Sequence, residues 1–317
     1  MSNPLCPVTG EPAVRHVQWI KSGSLARLWK TIHGVNARPS FGQVRRFGLW
    51  ESPTGLYFFD PMIEGDHAFY TQYYEWALRK KLWSRDTIRE EFVLAARHVK
   101  PGDRVLDVGC GFGSFRDVIP AEAQTGYVGL DPNFADNTAN EGVINQSLGE
   151  HLADHAGAYD VVCAFEVIEH LASPAAMFAE MVRAVRPGGI VIVGVPHVPS
   201  AITRIPNLLM NFPPHHLSWW TKPALSALAE RNGATVESVE QVPWGPFESL
   251  FYWMERCSPF KCTDIHFKNT ISWHAAALMG FLGGRLMHAL WKRPKGPKRT
   301  DEGSGLLLVA RRNRGEV

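Results

Sequence analysis

Residues 105–115 read Val105-Leu106-Asp107-Val108-Gly109-Cys110-Gly111-Phe112-Gly113-Ser114-Phe115. The apolar, β-branched front of this run is the pattern of a strand buried on both faces of a parallel sheet, and it breaks into three alternating glycines ahead of a helix start. Because glycine tolerates positive φ and lets backbone approach a ligand closely, the turn predicts a nucleotide-like cofactor at this point. The spacing is G-x-G-x-G, and in the frame of the dinucleotide fingerprint G-x-G-x-x-G/A the last position is Ser114. Asp107, just ahead of the loop, repels a pyrophosphate and suits a ligand carrying an ammonium and a sulfonium.

With Leu130-Asp131-Pro132 ending the next apolar run, the stretch resembles motif I and the following acidic motif of class I S-adenosylmethionine-dependent methyltransferases. The resemblance covers residues 86–242 plus a C-terminal strand. It implies an α/β, Rossmann-like doubly wound sheet of seven strands, order 3-2-1-4-5-7-6, with strand seven antiparallel. It also implies that S-adenosylmethionine is bound by Asp107, Gly109, Cys110, Gly111 and Gly113 at its methionine end and by Asp131 at the ribose. Phe165 and Glu166 then border the reacting methyl group.

At 317 residues and 45% hydrophobic content the chain holds ample material for a packed core. Lys+Arg 33 against Asp+Glu 31 gives a net charge of +2, which offers no bulk attraction for nucleic acid, and no nucleic-acid partner is expected. Five scattered cysteines, together with an N-terminus lacking a basic region followed by an apolar run, predict a reduced, cytoplasmic setting.

Residues 1–85 form an irregular N-terminal extension. Cys6-Pro7-Val8-Thr9-Gly10 and Glu51-Ser52-Pro53-Thr54-Gly55 look like paired zinc-ribbon knuckles, but Thr9, Glu51 and Thr54 stand where three thiolates belong. From Asp66 to Trp83 the chain is aromatic and helix-compatible; Tyr70, Tyr73 and Tyr74 are either lid residues over the cofactor or a packing stripe. The core spans 86–242. Thr87 and Glu90 give a capping box for a helix with apolar Ile88, Phe92, Ala95 and Ala96, and strands are expected at 104–109, 126–131, 142–147, 160–165, 190–196 and 234–242. The polar link 133–141 predicts a reduced helix, and the resemblance puts the adenine near Gln146-Ser147-Leu148. A helical insert, 243–303, precedes the final strand and tail, 304–317. Within it, Ile271 to Trp291 is apolar but interrupted by His274, Arg285 and His288, so a transmembrane span is not expected. The basic run Lys292 to Arg299 follows, leaving two readings of 271–299: peripheral membrane contact, or an internal cap on the main domain.

Methyl transfer from a sulfonium is an in-line displacement that chiefly needs alignment, whereas an alcohol acceptor also needs a base or a metal. Glu166-x-x-Glu169-His170 follows strand four, and His216 stands four residues before Trp220-Thr221. These residues resemble the E-x-x-E-H element of ubiquinone-pathway O-methyltransferases and small-RNA 2′-O-methyltransferases, together with the later histidine of the latter. The resemblance implies that Glu166, Glu169, His170 and His216 bind Mg²⁺, Mn²⁺ or Fe²⁺. The alternative is that Glu166 only positions substrate and His170 packs. Glu166, His197 and His215 are the candidate catalytic residues. The expected reaction is O-methylation of a small molecule, glycan or lipid-linked intermediate. A non-catalytic binding protein on the same fold and an NAD-dependent oxidoreductase are the rivals.

Overall fold

The computed structural model describes residues 3–80, 88–132, 142–245, 248–291 and 303–314. Thr87, the 133–141 link and the 292–299 basic run lie outside these residues. Strands numbered along the chain are β1 (Arg15–Lys21), β2 (Arg46–Glu51), β3 (Tyr57–Asp60), β4 (Val105–Val108), β5 (Tyr127–Leu130) and β6 (Val143–Ile144). They continue as β7 (Tyr159–Phe165), β8 (Val185–Pro196), β9 (Ser218–Trp219), β10 (Ala234–Val242) and β11 (Gly305–Arg312).

Seven of them form one sheet in the order β10-β11-β8-β7-β4-β5-β6. Numbered within the core alone, that is the expected 3-2-1-4-5-7-6. Pairing is parallel from β6 through β8, and β11 runs antiparallel to both β8 and β10. Period-two alternation sends Leu106, Val162, Val191 and Leu308 to one face, against the helices Pro174–Ala184 and Lys222–Arg231. Val105, Val161, Ile190 and Val309 go to the other, with Phe115 and the helix Glu90–Ala96. Both faces are covered, which is why β4 is buried at every position.

Several boundaries differ from expectation for local reasons. β8 begins at Val185, because Val185 pairs with Tyr159 across a register shift and the Pro187-Gly188-Gly189 segment becomes an irregular part of the strand. β6 is only Val143–Ile144, since Ser147 is committed to a capping box with Glu150 that opens the helix Leu148–His155. Ile88 is exposed: the helix begins at Glu90 behind an extended Arg89, so helical periodicity does not reach Ile88.

The N-terminal extension builds a second, antiparallel sheet in the order β1-β2-β3-β9, filled by Trp29, Phe41, Phe47, Phe59 and Phe69. Its fourth strand is Ser218–Trp219, taken from the loop that follows β8. The Phe59 amide donates to the Leu217 carbonyl at 2.9 Å and Trp29 Nε1 to the Pro213 carbonyl at 3.2 Å. The extension thereby clamps the segment carrying His215 and His216 from both sides. Within the insert, the helices Ser249–Cys257 and Ile271–Leu290 pack on each other.

Candidate active site

A cavity of about 420 Å³ opens at the carboxyl ends of β4, β5 and β7, where ligands lie in doubly wound sheets. One end is lined by Asp107, Gly109, Cys110, Gly111 and Asp131, the middle by Phe165, Glu166, Arg89 and Glu91, and the far end by His170, His215 and His216. Most of the residues singled out from the sequence therefore meet in one continuous space.

The glycine loop is fixed by its own amides. Gly109 and Cys110 N–H both donate to the Leu130 carbonyl, at 2.7 and 3.1 Å, and Gly111 N–H donates to Asp131 Oδ2 at 3.0 Å. Gly109 has φ +70°, and a Cβ there would stand 2.6 Å from Val167. Gly111 has φ +53° and nothing within 4 Å of a Cβ position, so its backbone faces open space. Asp107 is buried; the Tyr127 hydroxyl donates to its Oδ2 at 2.8 Å and the buried Cys163 thiol lies against the carboxyl. Burial pushes its pKa up to about 7. A cationic group entering the cavity restores the charged form.

Phe165 is held by Phe115 and Phe92, with ring centroids 4.8 and 5.0 Å away. Glu166, just past β7, adopts φ +57°, a left-handed conformation that costs a non-glycine residue about 1–3 kcal/mol, and its amide donates to the Gly194 carbonyl. Burial, then the neighbouring Glu169, holds the Glu166 carboxyl well above the usual range.

At the far end the His170, His215 and His216 imidazoles offer ligand atoms within 4.8 Å of one another. His170 Nδ1 lies 2.6 Å from the His215 carbonyl and His215 Nδ1 lies 3.1 Å from the Met210 carbonyl. A carbonyl can only accept, so each Nδ1 carries the proton and each Nε2 presents a lone pair. Burial pushes His170 down to about 4 and keeps all three rings neutral. Glu169 is fully buried, 3.6 Å from His170 Nε2, and neither of its oxygens has a hydrogen-bond partner. Burial raises it to about 8. Tyr73 packs on His215 with centroids 4.6 Å apart, Tyr70 lies edge-on to His170, and Tyr74 lines the cavity. The capped helix His67–Arg79 thus covers the histidine end.

Not every expected residue arrives. His197 is not among the lining residues; it bridges to Trp220 and its amide donates to the Ser304 carbonyl. Gly113 turns the chain into the short helix Ser114–Val118 without facing the cavity, and Gln146, Ser147 and Leu148 do not line it. His215, expected as a base, joins the imidazole cluster instead. Arg89, Glu91, Tyr127, Glu248 and Phe251 were missed. Glu91 carried a signal: it sits four residues before Ala95 on the buried helix face, where an unpaired acid is costly, and it meets Arg89 at 2.9 Å. Tyr127 reaches Asp107 through the β4/β5 register across the bare Gly129, which sequence spacing does not encode.

A methyltransferase-domain family model matches residues 76–239, just over half of the chain. The chain belongs to the class I S-adenosylmethionine-dependent methyltransferases. Ubiquinone biosynthesis O-methyltransferases of Escherichia coli and Escherichia fergusonii are 35% identical over 98 residues, covering 28% of this chain and 40% of those relatives. Among solved structures, a SAM-dependent methyltransferase from Archaeoglobus fulgidus aligns with TM-score 0.47 and 17% identity, covering 75% of this chain and 100% of that one. The Haloferax volcanii complex of the Trm112 activator with a putative methyltransferase aligns with TM-score 0.49 and 18% identity, covering 77% and 97%. S-adenosylmethionine is the cofactor of this methyltransferase family, and the residues fit it: a bare backbone at Gly111, the carboxyls of Asp107 and Asp131 on the cavity wall, and a cavity of suitable size.

Proposed function

We propose that this methyltransferase transfers the methyl group of S-adenosylmethionine to a hydroxyl oxygen of a small molecule, with a divalent cation at the histidine end. The observation that carries the reading is one cavity lined both by the glycine loop and by a cluster of three neutral imidazoles, with the buried Glu169 behind His170 and outside the cavity lining. The name of the ubiquinone biosynthesis relatives supports oxygen as the acceptor atom, over the share of their length that aligns.

When bound, S-adenosylmethionine supplies an electrophilic methyl group and a divalent cation supplies polarisation of the acceptor oxygen. Asp107 and Asp131 would hold the donor in the cavity that Phe165 and Glu166 also line. His170, His215 and His216 would hold the cation through neutral nitrogen donors, and Glu169, 3.6 Å from His170 Nε2, would ionise to balance its charge. Carbonyls behind His170 and His215 fix their tautomers, the outer support that metal-binding imidazoles need. The acceptor proton would pass to Glu166, which lines the cavity beside Phe165 and is not one of the three nitrogen donors, and Tyr70, Tyr73 and Tyr74 shield the path from water. Leu208, Met210, Ile202 and Phe251 line the same cavity and favour an acceptor with an apolar part, in keeping with a small aromatic or a lipid-linked molecule. A glycan has less to gain from these side chains.

The test is S-adenosylhomocysteine formation, read by mass spectrometry, with a panel of phenolic, aliphatic and lipid-linked alcohols, with and without EDTA. Turnover on a hydroxyl acceptor that EDTA abolishes and Mn²⁺ or Mg²⁺ restores supports the reading. Methylation confined to amines, or a thermal shift produced by NAD⁺ and not by S-adenosylhomocysteine, overturns it.

A further inference from the structure

The helix Ile271–Leu290 is built inside out. Its buried edge is Ala276, Gly280 and Gly284, and its neighbour is the helix Ser249–Cys257. A Cβ on Gly280 would stand 2.9 Å from the Met254 carbonyl oxygen and one on Gly284 2.8 Å from the Met254 nitrogen, so the two backbones lie directly on each other. With the small residues inward, the large ones are turned out. Ile271, Leu278, Met279, Leu282, Leu286 and Leu290 are between 56% and 90% exposed. Such a contiguous apolar face marks an interaction surface.

Charge selects the occupant. The helix contains no acidic residue, and the charged group on its outer face is Arg285, whose guanidinium lies over Phe281. At the carboxyl end Trp253 Nε1 donates to the Trp291 carbonyl, and Trp291 is 45% exposed. The sequence then continues Lys292-Arg293-Pro294-Lys295-Gly296-Pro297-Lys298-Arg299, five cations and no anion. A second copy of this surface brings only further cations to meet them. An apolar face with an interfacial tryptophan and cations in sequence at its end matches an anionic bilayer, whose acyl boundary takes the leucines and whose headgroups take the charge. No helix among the described residues is long and apolar enough to cross a membrane, and at about 1.5 Å per residue this one lies along the surface over roughly 30 Å.

We infer that the outer face of Ile271–Leu290 docks the enzyme on anionic lipid, lying in the interface. The neighbouring helix Ser249–Cys257 contributes Phe251 to the cavity, so docking sets the acceptor side of the site close to the lipid. The inference does not depend on the acceptor or the metal.

Flotation of the full chain with vesicles of phosphatidylcholine alone, and of phosphatidylcholine mixed with phosphatidylglycerol, tests it alongside Leu278→Glu/Leu282→Glu/Leu286→Glu and the milder Leu282→Glu. All three side chains are exposed, and an unchanged thermal shift with S-adenosylhomocysteine reports that each variant is folded. The expected result is flotation with the mixed vesicles only, weakened at least about tenfold by the triple change and less by the single one. Absence of flotation with the mixed vesicles overturns the inference. So does equal flotation of folded wild-type and variant proteins. A dimer in light scattering that Leu282→Glu dissociates, without vesicle binding, assigns the face to a second copy instead.

Discussion

At the glycine-loop end of the cavity Asp107 takes a hydrogen bond from Tyr127 and Asp131 takes one from the Gly111 amide; at the histidine end neither oxygen of Glu169 finds a donor. Both ends bury carboxyl groups, and burying one is costly unless it is paired or protonated. The chain itself supplies a donor to each acid at the first end, with both carboxyls on the cavity wall. At the second it supplies neutral imidazoles, which cannot balance a negative charge. The first end is nearly complete without a ligand, whereas the second is completed by a proton or by a metal ion.

The largest expected effect breaks this contrast at the histidine end. Glu169→Ala removes the acid that would balance a cation at the cluster, and methyl transfer should fall at least about 100-fold, beyond the usual cost of losing an outer-shell partner. Mn²⁺ should then no longer raise the melting temperature. Wild-type turnover untouched by EDTA would falsify the metal reading and leave Glu169 as a buried, protonated acid. At the other end, Asp131→Ala loses both a ligand contact and the bond that ties Gly111 to β5, and should weaken S-adenosylhomocysteine binding by about 1.5–3 kcal/mol, roughly 10- to 150-fold in Kd. Calorimetry showing unchanged affinity would separate Asp131 from the cofactor.

The same contrast explains what was legible in the sequence. The glycine loop is local: Asp107, Gly109 and Gly111 sit within a few residues of one another, so strand pattern and turn chemistry specify them together, and the sheet order follows from the strand and helix alternation. The histidine end is not local. The family resemblance implies His170 and His216 there, but His215 is brought in by the N-terminal sheet, whose β3 pairs with β9 and turns the Pro213–Leu217 segment toward Glu169. Nothing in the period of that segment announces a pairing with a strand some 160 residues earlier. Arg89, Glu248 and Phe251 were missed for a related reason, since they come from a helix start and from an insert whose placement beside the cavity no local pattern specifies.

A smaller effect sharpens the contrast through pH. Burial raises Asp107 to about 7, so its carboxylate, the form a cationic donor prefers, forms as pH rises through that value. Affinity for S-adenosylmethionine should increase roughly tenfold between pH 6 and pH 8, and Asp107→Asn should flatten the rise. In the ligand-free protein the sign reverses. The folded state holds this proton more tightly than the unfolded chain, so the Asp107 contribution to stability is full below the ordinary carboxylate pKa and is lost as pH climbs through 7. An affinity for S-adenosylmethionine that falls toward pH 8 would show that Asp107 is not the partner of the cation.

The smallest change tests whether the chain's own donor matters at the first end. Tyr127→Phe keeps the ring buried against its strand neighbours and removes one hydroxyl, the group 2.8 Å from Asp107 Oδ2. A hydrogen bond to the charged form lowers a carboxyl pKa, so its loss should move the Asp107 midpoint upward and cut cofactor affinity at pH 7 by about 0.5–1.5 kcal/mol. At pH 9, where Asp107 is ionised in both proteins, the difference should shrink. A loss of equal size at every pH would mean that Tyr127 acts by filling the space beside Gly113 rather than by holding charge on Asp107. The pH profile of the two binding constants therefore distinguishes an electrostatic role for this tyrosine from a packing one.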